Sequence, residues 1–308
     1  MSLYSGPHTK PLPPATKKGV EHLNPLYPSV SIDVGEIEAI CAYNNFMPNS
    51  LEIGPHDTTI ENPAALYLLP SYFNHACVSN AAWHCIGDAM VIRATEDIAA
   101  GEEITIPYAC SESYQERSGA LAVYLPNGCD CRLCEEDRRD GEEALERRER
   151  LVSEFDRMRA PGLRPIDALG AARTFVDNLM STFSPERTGV LPRMISAHHS
   201  VAVALQEVGY DADREMWSTY FKEAISEDFK ALESAGMVVT DKSMWGPVNR
   251  RTMPIGTTRL PAFIPHENFV SIMLSISYAF NVLKDRRRVM KWLKAAAWGE
   301  FELFLVSC

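Results

Sequence analysis

Three cysteines near the middle of the chain are the clearest candidates for chemistry. Cys129, Cys131 and Cys134 fall within six residues, and thiols this closely spaced cannot easily pair with one another in disulfides. In a reducing compartment, clustered thiolates bind Zn²⁺ readily. A closed tetrahedral zinc site takes four ligands, so the fourth must come from another part of the chain. The spacing predicts a structural zinc site, and the alternative is an incidental group of surface cysteines.

Two further motifs precede these cysteines in a fixed order. The first is Asn74-His75-Ala76-Cys77, and the second is Gly101-Glu102-Glu103-Ile104-Thr105-Ile106-Pro107-Tyr108. Alone, an Asn-His dipeptide is usually a turn or a satisfied core group, and a tyrosine at the end of a strand usually packs. Three such signals in one order are far harder to obtain by chance than any one of them. Together they indicate one functional site assembled from residues 66–134.

Short strands and turns must position these motifs. Apolar runs at 64–69, 81–86 and 89–94 are typical of strands, and Gly87-Asp88 between the last two predicts a tight hairpin. A turn at 96–102 is followed by a further predicted strand at 103–108, which is rich in β-branched residues. Upstream, the apolar positions after Gly35 predict a short helix that ends near Asn44-Asn45.

After Cys134 the sequence changes to charged residues and then to long helical periodicity. Apolar residues recur with helical spacing at 145–158, 166–183, 217–232, 269–283 and 289–305. His198-His199 and Arg286-Arg287-Arg288 lie in this part and are interpreted as solvated faces or packing groups. A helical C-terminal domain from about residue 141 is predicted.

The ordered motifs resemble the C-terminal half of a SET domain with its post-SET zinc site, the fold of protein lysine methyltransferases that use S-adenosylmethionine. The similarity is nearest to the SET-and-MYND group and its fungal relatives, in which Asn-His-Ser-Cys-x-Pro-Asn precedes Gly-Glu-Glu-(Leu/Ile)-Thr-x-x-Tyr. It covers roughly residues 42–137. The resemblance implies an α+β fold, with the C-terminal part of a short-stranded SET-type β core, a post-SET zinc loop and an all-α helical domain. The corresponding divisions are an irregular Pro-rich lead-in at 1–34, a partial SET domain at 35–115, a post-SET zinc-binding loop at 116–140 and a helical domain at 141–308.

The resemblance also implies a site for S-adenosylmethionine. Asn74 and His75 match the family's Asn-His pair, which contacts the amino-acid part and the adenine of the cofactor. Asn44 matches a second family asparagine near the cofactor. Cys77 matches the family cysteine that gives the structural zinc its fourth ligand, and it would tie the zinc loop to the cofactor end of the core.

Two tyrosines would shape the place where the methyl group is transferred. Tyr108 matches the family tyrosine beside the transferred methyl, and Tyr124 would form the aromatic wall of the lysine channel. Methyl transfer from a sulfonium is an in-line displacement, so the protein supplies alignment, exclusion of water and oxygen dipoles that face the positive centre. A narrow apolar channel favours the neutral form of the lysine amine.

Several positions depart from the family pattern. No Gly-x-Gly, the turn that receives the cofactor in a complete SET domain, occurs in the 308 residues, and too few cysteines precede Cys77 for a MYND finger. Ala76 and Ser79 replace the usual Ser and Pro, and Asn127-Gly128 stand where relatives place an aromatic that stacks near the adenine. Two hypotheses follow: a methyltransferase acting on histone or non-histone lysine, truncated or weakly active, and a catalytically silent SET-derived interaction module.

The amino-acid composition limits the kinds of partner that the protein is expected to bind. A net charge of −11 and a pI near 5.3 argue against tight binding to a phosphate backbone, while an acidic surface tolerates a basic histone tail. The helices offer a possible surface for a protein partner. The sequence shows neither a signal peptide nor an uncharged run of the ~18 residues that a membrane span needs, so we expect a nuclear and/or cytoplasmic protein.

Overall fold

The computed structural model describes residues 2–4, 40, 44–46, 65–86, 89–159, 162–213, 215–240, 242, 254 and 266–304. Within these ranges, short strands occupy the chain up to residue 106 and helices form the remainder. This is an α+β arrangement of small sheets followed by a mostly helical part, as the resemblance implies. No helix among the described residues is both long and apolar enough to cross a membrane.

The strands of the described chain form three small sheets. They are β1 (Ser2–Tyr4), β2 (Asn45–Phe46), β3 (Ala65–Tyr67), β4 (Asn74–His75), β5 (Ala81–Ile86), β6 (Ala89–Ala94) and β7 (Thr105–Ile106). One sheet has the antiparallel order β1-β3-β2, and β5 and β6 form an antiparallel hairpin. The third sheet pairs β4 with β7 in parallel, with Asn74 opposite Thr105. A small apolar core that includes Phe46, Cys85 and Ile106 joins the three sheets.

The predicted hairpin strands are confirmed, while the strand predicted at 103–108 is shorter than expected. Only Thr105 and Ile106 pair as a strand, since Pro107 has no N–H to continue the ladder. Ser2–Tyr4 form a strand within the lead-in that was predicted to be irregular. Most of the helix predicted after Gly35 lies outside the described residues, as does the Gly87-Asp88 turn.

Eight helices follow in the described part of the chain. They are α1 (Tyr114–Leu121), α2 (Arg132–Asp140), α3 (Glu142–Met158), α4 (Pro165–Met180), α5 (Met194–Asp211), α6 (Trp217–Ser234), α7 (His266–Val282) and α8 (Arg286–Phe304). The five helical patterns read from the sequence correspond to α3, α4, α6, α7 and α8. The sequence did not predict α5, because 11 of its 18 residues are buried and no single apolar stripe stands out.

Helices also occupy much of the segment predicted as a zinc loop at 116–140. The Ser113 hydroxyl caps α1 by accepting a hydrogen bond from the Glu116 N–H at 3.3 Å. Cys131 lies at the N-cap of α2, so Cys134 is a helical residue and not a loop residue. Both helices are too short for their periodicity to have been visible in the sequence.

The cysteine-bearing segment shares one hydrophobic core with the helices α6, α7 and α8. Leu121 and Leu133 pack in the same buried cluster as Phe229 and Trp292, whose stacked rings have centroids 5.5 Å apart. Along the chain, α5 packs against α4 and α6, and α7 packs against α6 and α8. The helical part therefore supports the candidate site directly.

Candidate active site and metal centre

Four cysteine sulfurs converge beside the parallel strands. The Sγ atoms of Cys77, Cys129, Cys131 and Cys134 all lie within 4.8 Å of one another, and those of Cys77 and Cys134 are 3.5 Å apart. All four thiols are free, and only Cys131 is not fully buried. Zinc–sulfur bonds of about 2.3 Å in a tetrahedron imply sulfur–sulfur distances of about 3.8 Å. The four side chains therefore fit a closed tetrahedral site for a soft metal ion.

A tight turn and the start of α2 bring three of these sulfurs together. Gly128 has φ +83°, a conformation that a residue with a Cβ adopts only with strain, and its N–H donates to the Leu125 carbonyl at 2.9 Å. The Cys131 N–H points at the Cys129 sulfur, 3.4 Å away. The Arg138 guanidinium donates to the Cys129 carbonyl at 2.7 Å and closes the turn from α2.

The electrostatics of the cluster favour a bound cation. Hydrogen bonds from Cys131 and Cys134 hold the pKa of Cys129 well below its usual range, whereas hydrogen bonds with Cys129 and the other cysteines raise the pKa of Cys77. The four thiols therefore interact strongly with one another. Four thiolates at this spacing require a positive charge among them.

His75 lies between the cysteine cluster and the second motif. Its Nε2 is 3.3 Å from the Cys77 sulfur, and its Nδ1 accepts a hydrogen bond from the Tyr108 main-chain N–H at 2.9 Å. The rings of His75 and Tyr108 are tilted, with centroids 5.2 Å apart. Both ring nitrogens of His75 are therefore engaged within the protein.

The two predicted tyrosines are neighbours. Their rings meet edge to face with centroids 5.6 Å apart, and the Tyr108 hydroxyl donates to the Phe73 carbonyl at 2.6 Å. Desolvation raises the pKa of Tyr108, and electrostatic interactions with Tyr124 and Glu103 raise it further. Tyr108 is 38% exposed, so part of this residue is accessible at the surface.

The two predicted cofactor asparagines contact different parts of the chain. The exposed Asn74 amide donates to Glu103 Oε1 at 2.5 Å, so it sits beside the second motif. The Asn44 amide donates to the Ile40 carbonyl at 2.8 Å. The Asn44 carbonyl accepts a hydrogen bond from the Ser71 hydroxyl at 3.3 Å, which links Asn44 to the turn before β4.

Asn80 organises the segment that leads to Tyr108, and sequence reasoning did not single it out. Its side chain accepts from the Thr105 N–H at 2.9 Å and donates to the Glu103 carbonyl at 2.9 Å. The same amide reaches Glu102 Oε1 at 3.2 Å. Asn80 is only 5% exposed, and its side chain bonds the backbone where β7 begins. Its position at the end of the Asn-His-x-Cys-x-x-Asn motif was the one available signal.

A buried ion network behind the cysteines was also invisible in the sequence. Asp137 pairs with Arg117, with Arg148 at 3.4 Å and with Arg187 at 2.8 Å, and none of these side chains is more than 5% exposed. Asp140 pairs with both Arg148 and Arg187 at 2.5 Å. The network ties α1 and α2, which frame the cysteine cluster, to α3 and the turn before α5.

Arg117 connects this network to the cysteines electrostatically. Burial disfavours its charged form, yet the negative charges of Asp137, Cys77 and Cys134 raise its pKa overall. Its guanidinium also donates to the Ser111 carbonyl at 2.9 Å, just after the second motif. The Arg117 guanidinium therefore interacts with both the cysteine cluster and the segment that follows Tyr108.

Comparison with known proteins finds similarity to SET domains in the N-terminal part of the chain. The family model described as SET domain matches residues 15–109. Most of the matched residues before residue 65 lie outside the described ranges. A Gibberella zeae protein named Methyltransferase is 35% identical over 98 residues, covering 31% of this chain and 13% of that protein. Histone-lysine N-methyltransferase set5 of Schizosaccharomyces pombe is 31% identical over 121 residues, or 38% of each chain.

A Drosophila melanogaster protein, SET domain-containing protein SmydA-8 isoform B, is 34% identical over 105 residues, covering 33% of this chain and 23% of that protein. The matches thus span between 13% and 38% of the length of these relatives. The match to the SET domain model includes the first and second motifs, whose geometry is described above. Residues 15–109 of this chain are therefore similar to SET domains.

Proposed function

We propose that this protein is a protein-lysine N-methyltransferase that uses S-adenosylmethionine, with Tyr108 at the point of transfer. The observation that carries the proposal is the pairing of the Tyr108 hydroxyl with the Phe73 carbonyl, 2.6 Å apart, at the accessible end of the second motif. Two oxygens held together by the fold suit a reaction centre that carries positive charge. The SET domain match and the methyltransferase names of two relatives support the same activity.

The residues beside Tyr108 fit the charged end of the cofactor. The carboxylate of Glu103 and the amide of Asn74 form an exposed pair, and the charge of Glu103 reaches Tyr108. These oxygens would accept hydrogen bonds from an α-ammonium group, and the main chain of His75 would contribute the remaining contacts. Asn44, linked to the turn before β4, would approach the cofactor from the other side. S-adenosylmethionine itself supplies the activated methyl group.

The rings of Tyr108 and Tyr124 would form the wall along which the lysine side chain enters. The apolar surface of the two rings excludes water and favours the neutral amine, which is the nucleophile. Because the pKa of Tyr108 is raised, its hydroxyl stays protonated and keeps donating to Phe73. In this arrangement Tyr108 orients the reacting groups and does not act as a base.

We also infer that Cys77, Cys129, Cys131 and Cys134 hold a structural Zn²⁺, as in a post-SET site. Four thiolates leave no open coordination position, so this metal would not take part in the chemistry. Its role would be to fix the turn that carries Tyr124 against the motif that carries Tyr108. A protein substrate such as a histone is suggested by the name of the fission yeast relative and by the acidic charge of this chain.

Calorimetric titration of the zinc-loaded protein with S-adenosylmethionine and with its demethylated product tests the proposal first. We expect micromolar binding, about −8 kcal/mol, and transfer of labelled methyl from the cofactor to lysines of core histones. Histone peptides with arginine in place of each lysine serve as the control for the accepting atom. A folded, metal-loaded chain that binds neither compound up to millimolar concentration would refute the enzyme and would direct the search to protein partners.

A further inference from the structure

The imidazole of His75 contacts both the cysteine cluster and the main chain of Tyr108. On one side, Nε2 lies 3.3 Å from the Cys77 sulfur. On the other side, Nδ1 lies 2.9 Å from the main-chain nitrogen of Tyr108. The cysteine is a predicted metal ligand and the tyrosine is the predicted catalytic group. One ring therefore spans the metal cluster and the reaction centre.

The hydrogen-bonding partners of the His75 ring determine which of its nitrogens carries the proton. A main-chain N–H can only donate, so Nδ1 must accept and cannot carry a hydrogen in the neutral ring. The single remaining proton is then on Nε2, which faces the Cys77 sulfur as a donor. A hydrogen bond of this kind stabilises a thiolate and orients it toward a metal, as outer partners of metal ligands generally do. The Cys131 N–H makes a similar contact with the Cys129 sulfur at 3.4 Å.

The Tyr108 main chain relies on the His75 ring for a hydrogen bond because strand β7 ends before Tyr108. The β4–β7 pairing stops at His75 and Ile106, and Pro107 has no N–H. The Tyr108 N–H has His75 as its acceptor, while the Tyr108 hydroxyl is held by the Phe73 carbonyl. Residues 73–75 thus hold the tyrosine at both its main chain and its side-chain tip.

We propose that His75 is a positioning residue that transmits the geometry of the metal cluster to Tyr108. Its Nε2–H donates to the Cys77 sulfur while its Nδ1 anchors the Tyr108 main chain. Loss of the metal would release Cys77, then the ring, and then the tyrosine. The effect on methyl transfer rests on the function proposed above, whereas the two hydrogen bonds do not.

Two substitutions test the roles of the two ring nitrogens of His75 separately. His75→Gln places an amide near the position of Nε2, and His75→Asn places one near the position of Nδ1. We expect His75→Gln to keep the metal affinity of the wild-type protein but to lose hydrogen-exchange protection at the Tyr108 amide. His75→Asn should retain that protection but bind metal about 10- to 100-fold more weakly. Chelator competition measures the affinity, and the thiolate charge-transfer bands of the Co²⁺-loaded protein should shift only in His75→Asn.

Long-range ¹H–¹⁵N spectra of the wild-type imidazole test the tautomer directly. A proton on Nε2 alone is expected, and a proton on Nδ1 would overturn the proposal. So would equal losses of metal affinity and of Tyr108 protection in both variants, because that pattern indicates general disruption of the fold. A wild-type protein that transfers no methyl group would refute the proposed function, while the cobalt spectra and the exchange data would still decide the role of His75.

Discussion

Tyr108 and Tyr124 meet edge to face with their ring centroids 5.6 Å apart and their planes at 72°. Tyr108 ends the Gly-Glu-Glu-Ile-Thr motif, and Tyr124 follows α1 in a turn held by its N–H bond to the Leu121 carbonyl at 2.9 Å. That turn leads directly into Cys129. An aromatic pair of this kind contributes about 0.5–1.5 kcal/mol beyond burial, so the turn before Cys129 and the Gly-Glu-Glu-Ile-Thr motif stabilise each other.

The Tyr108 hydroxyl is the first group whose removal tests the mechanism. Tyr108→Phe keeps the ring against Tyr124 but removes the hydrogen bond to Phe73, so the reacting groups lose their alignment. We expect methyl transfer at saturating cofactor to fall by roughly 100-fold, with metal content and melting temperature unchanged. Tyr124→Phe retains its ring and should stay close to wild type. Full turnover in Tyr108→Phe would remove the hydroxyl from the mechanism.

Removal of the metal should destabilise the protein and abolish transfer together. Three of the four sulfurs are buried in the core that α1 and α2 share with the long helices, so an empty cluster leaves several thiols close together without a cation. We expect about one zinc per chain and a lower melting temperature after treatment with a strong chelator. Cys134→Ser should reproduce the loss.

Cys110, an exposed cysteine outside the cluster, provides the control for metal removal. Cys110→Ser should keep the metal and the melting temperature of the wild-type protein. Metal content is measured by mass spectrometry of the purified variants. Wild-type protein that holds no zinc when purified in zinc, or a Cys134→Ser variant that holds a full equivalent, would contradict the four-cysteine site.

Asn80 should be the most sensitive polar residue of the β core. Asn80→Ala leaves the Thr105 N–H and the Glu103 carbonyl without their buried partner. Each unsatisfied group costs about 1–3 kcal/mol of the free energy of unfolding, so the urea midpoint should fall markedly. Asn127→Ala, at an exposed position of the cysteine turn, should have little effect. Equal midpoints for the two variants would show that Asn80 does not hold the segment.

The sequence predicted the parts of the site that depend on local motifs. The spacing of the cysteines predicted a thiolate cluster, the resemblance supplied Cys77 as its fourth member, and the structure brings the four sulfurs together. The resemblance likewise identified Tyr108 and Tyr124, which are in contact. The strand and helix patterns were visible because each has an apolar period in a continuous stretch of chain.

The sequence could not predict the contacts between residues that are distant along the chain. The His75 ring reaches Tyr108 across 33 positions, and Asn80 reaches Thr105 across 25. Neither pair has a local period or a motif that names its partner. The parallel β4–β7 register that creates both contacts involves only two residues in each strand, which is too short to be recognised from alternation.

Asp137 should carry more of the stability than any exposed ion pair. It accepts from three arginines in a buried network, so Asp137→Asn leaves their charges without a full counter-charge. We expect a loss of about 3–5 kcal/mol in the free energy of unfolding. The matched control is the Arg173–Glu223 pair, 2.9 Å apart with side chains 54% and 47% exposed. Glu223→Gln should change the free energy of unfolding by at most about 1 kcal/mol, and urea unfolding of both variants decides between them.

Glu102 should make stability depend on pH at the acid end. Hydrogen bonds from the Ala99 N–H and then from the Asn80 amide lower the pKa of this carboxyl. The folded chain therefore binds the proton more weakly than the unfolded chain does. The stabilisation is fully present above the ordinary glutamate pKa of about 4.5 and is lost as the pH falls through the lowered value.

Glu102→Gln removes this titration, so its free energy of unfolding should fall less between pH 5 and pH 3 than that of the wild-type protein. Urea unfolding across that range, together with ¹³C titration of the Glu102 carboxyl, measures the difference. Glu154→Gln, at an exposed position on α3, serves as the control and should follow the wild-type curve. Because Glu102 anchors the turn at Ala99 to Asn80, the same acid range should also loosen the segment that leads to Tyr108. Parallel pH curves for the wild-type protein and Glu102→Gln would show that this carboxylate does not stabilise the turn.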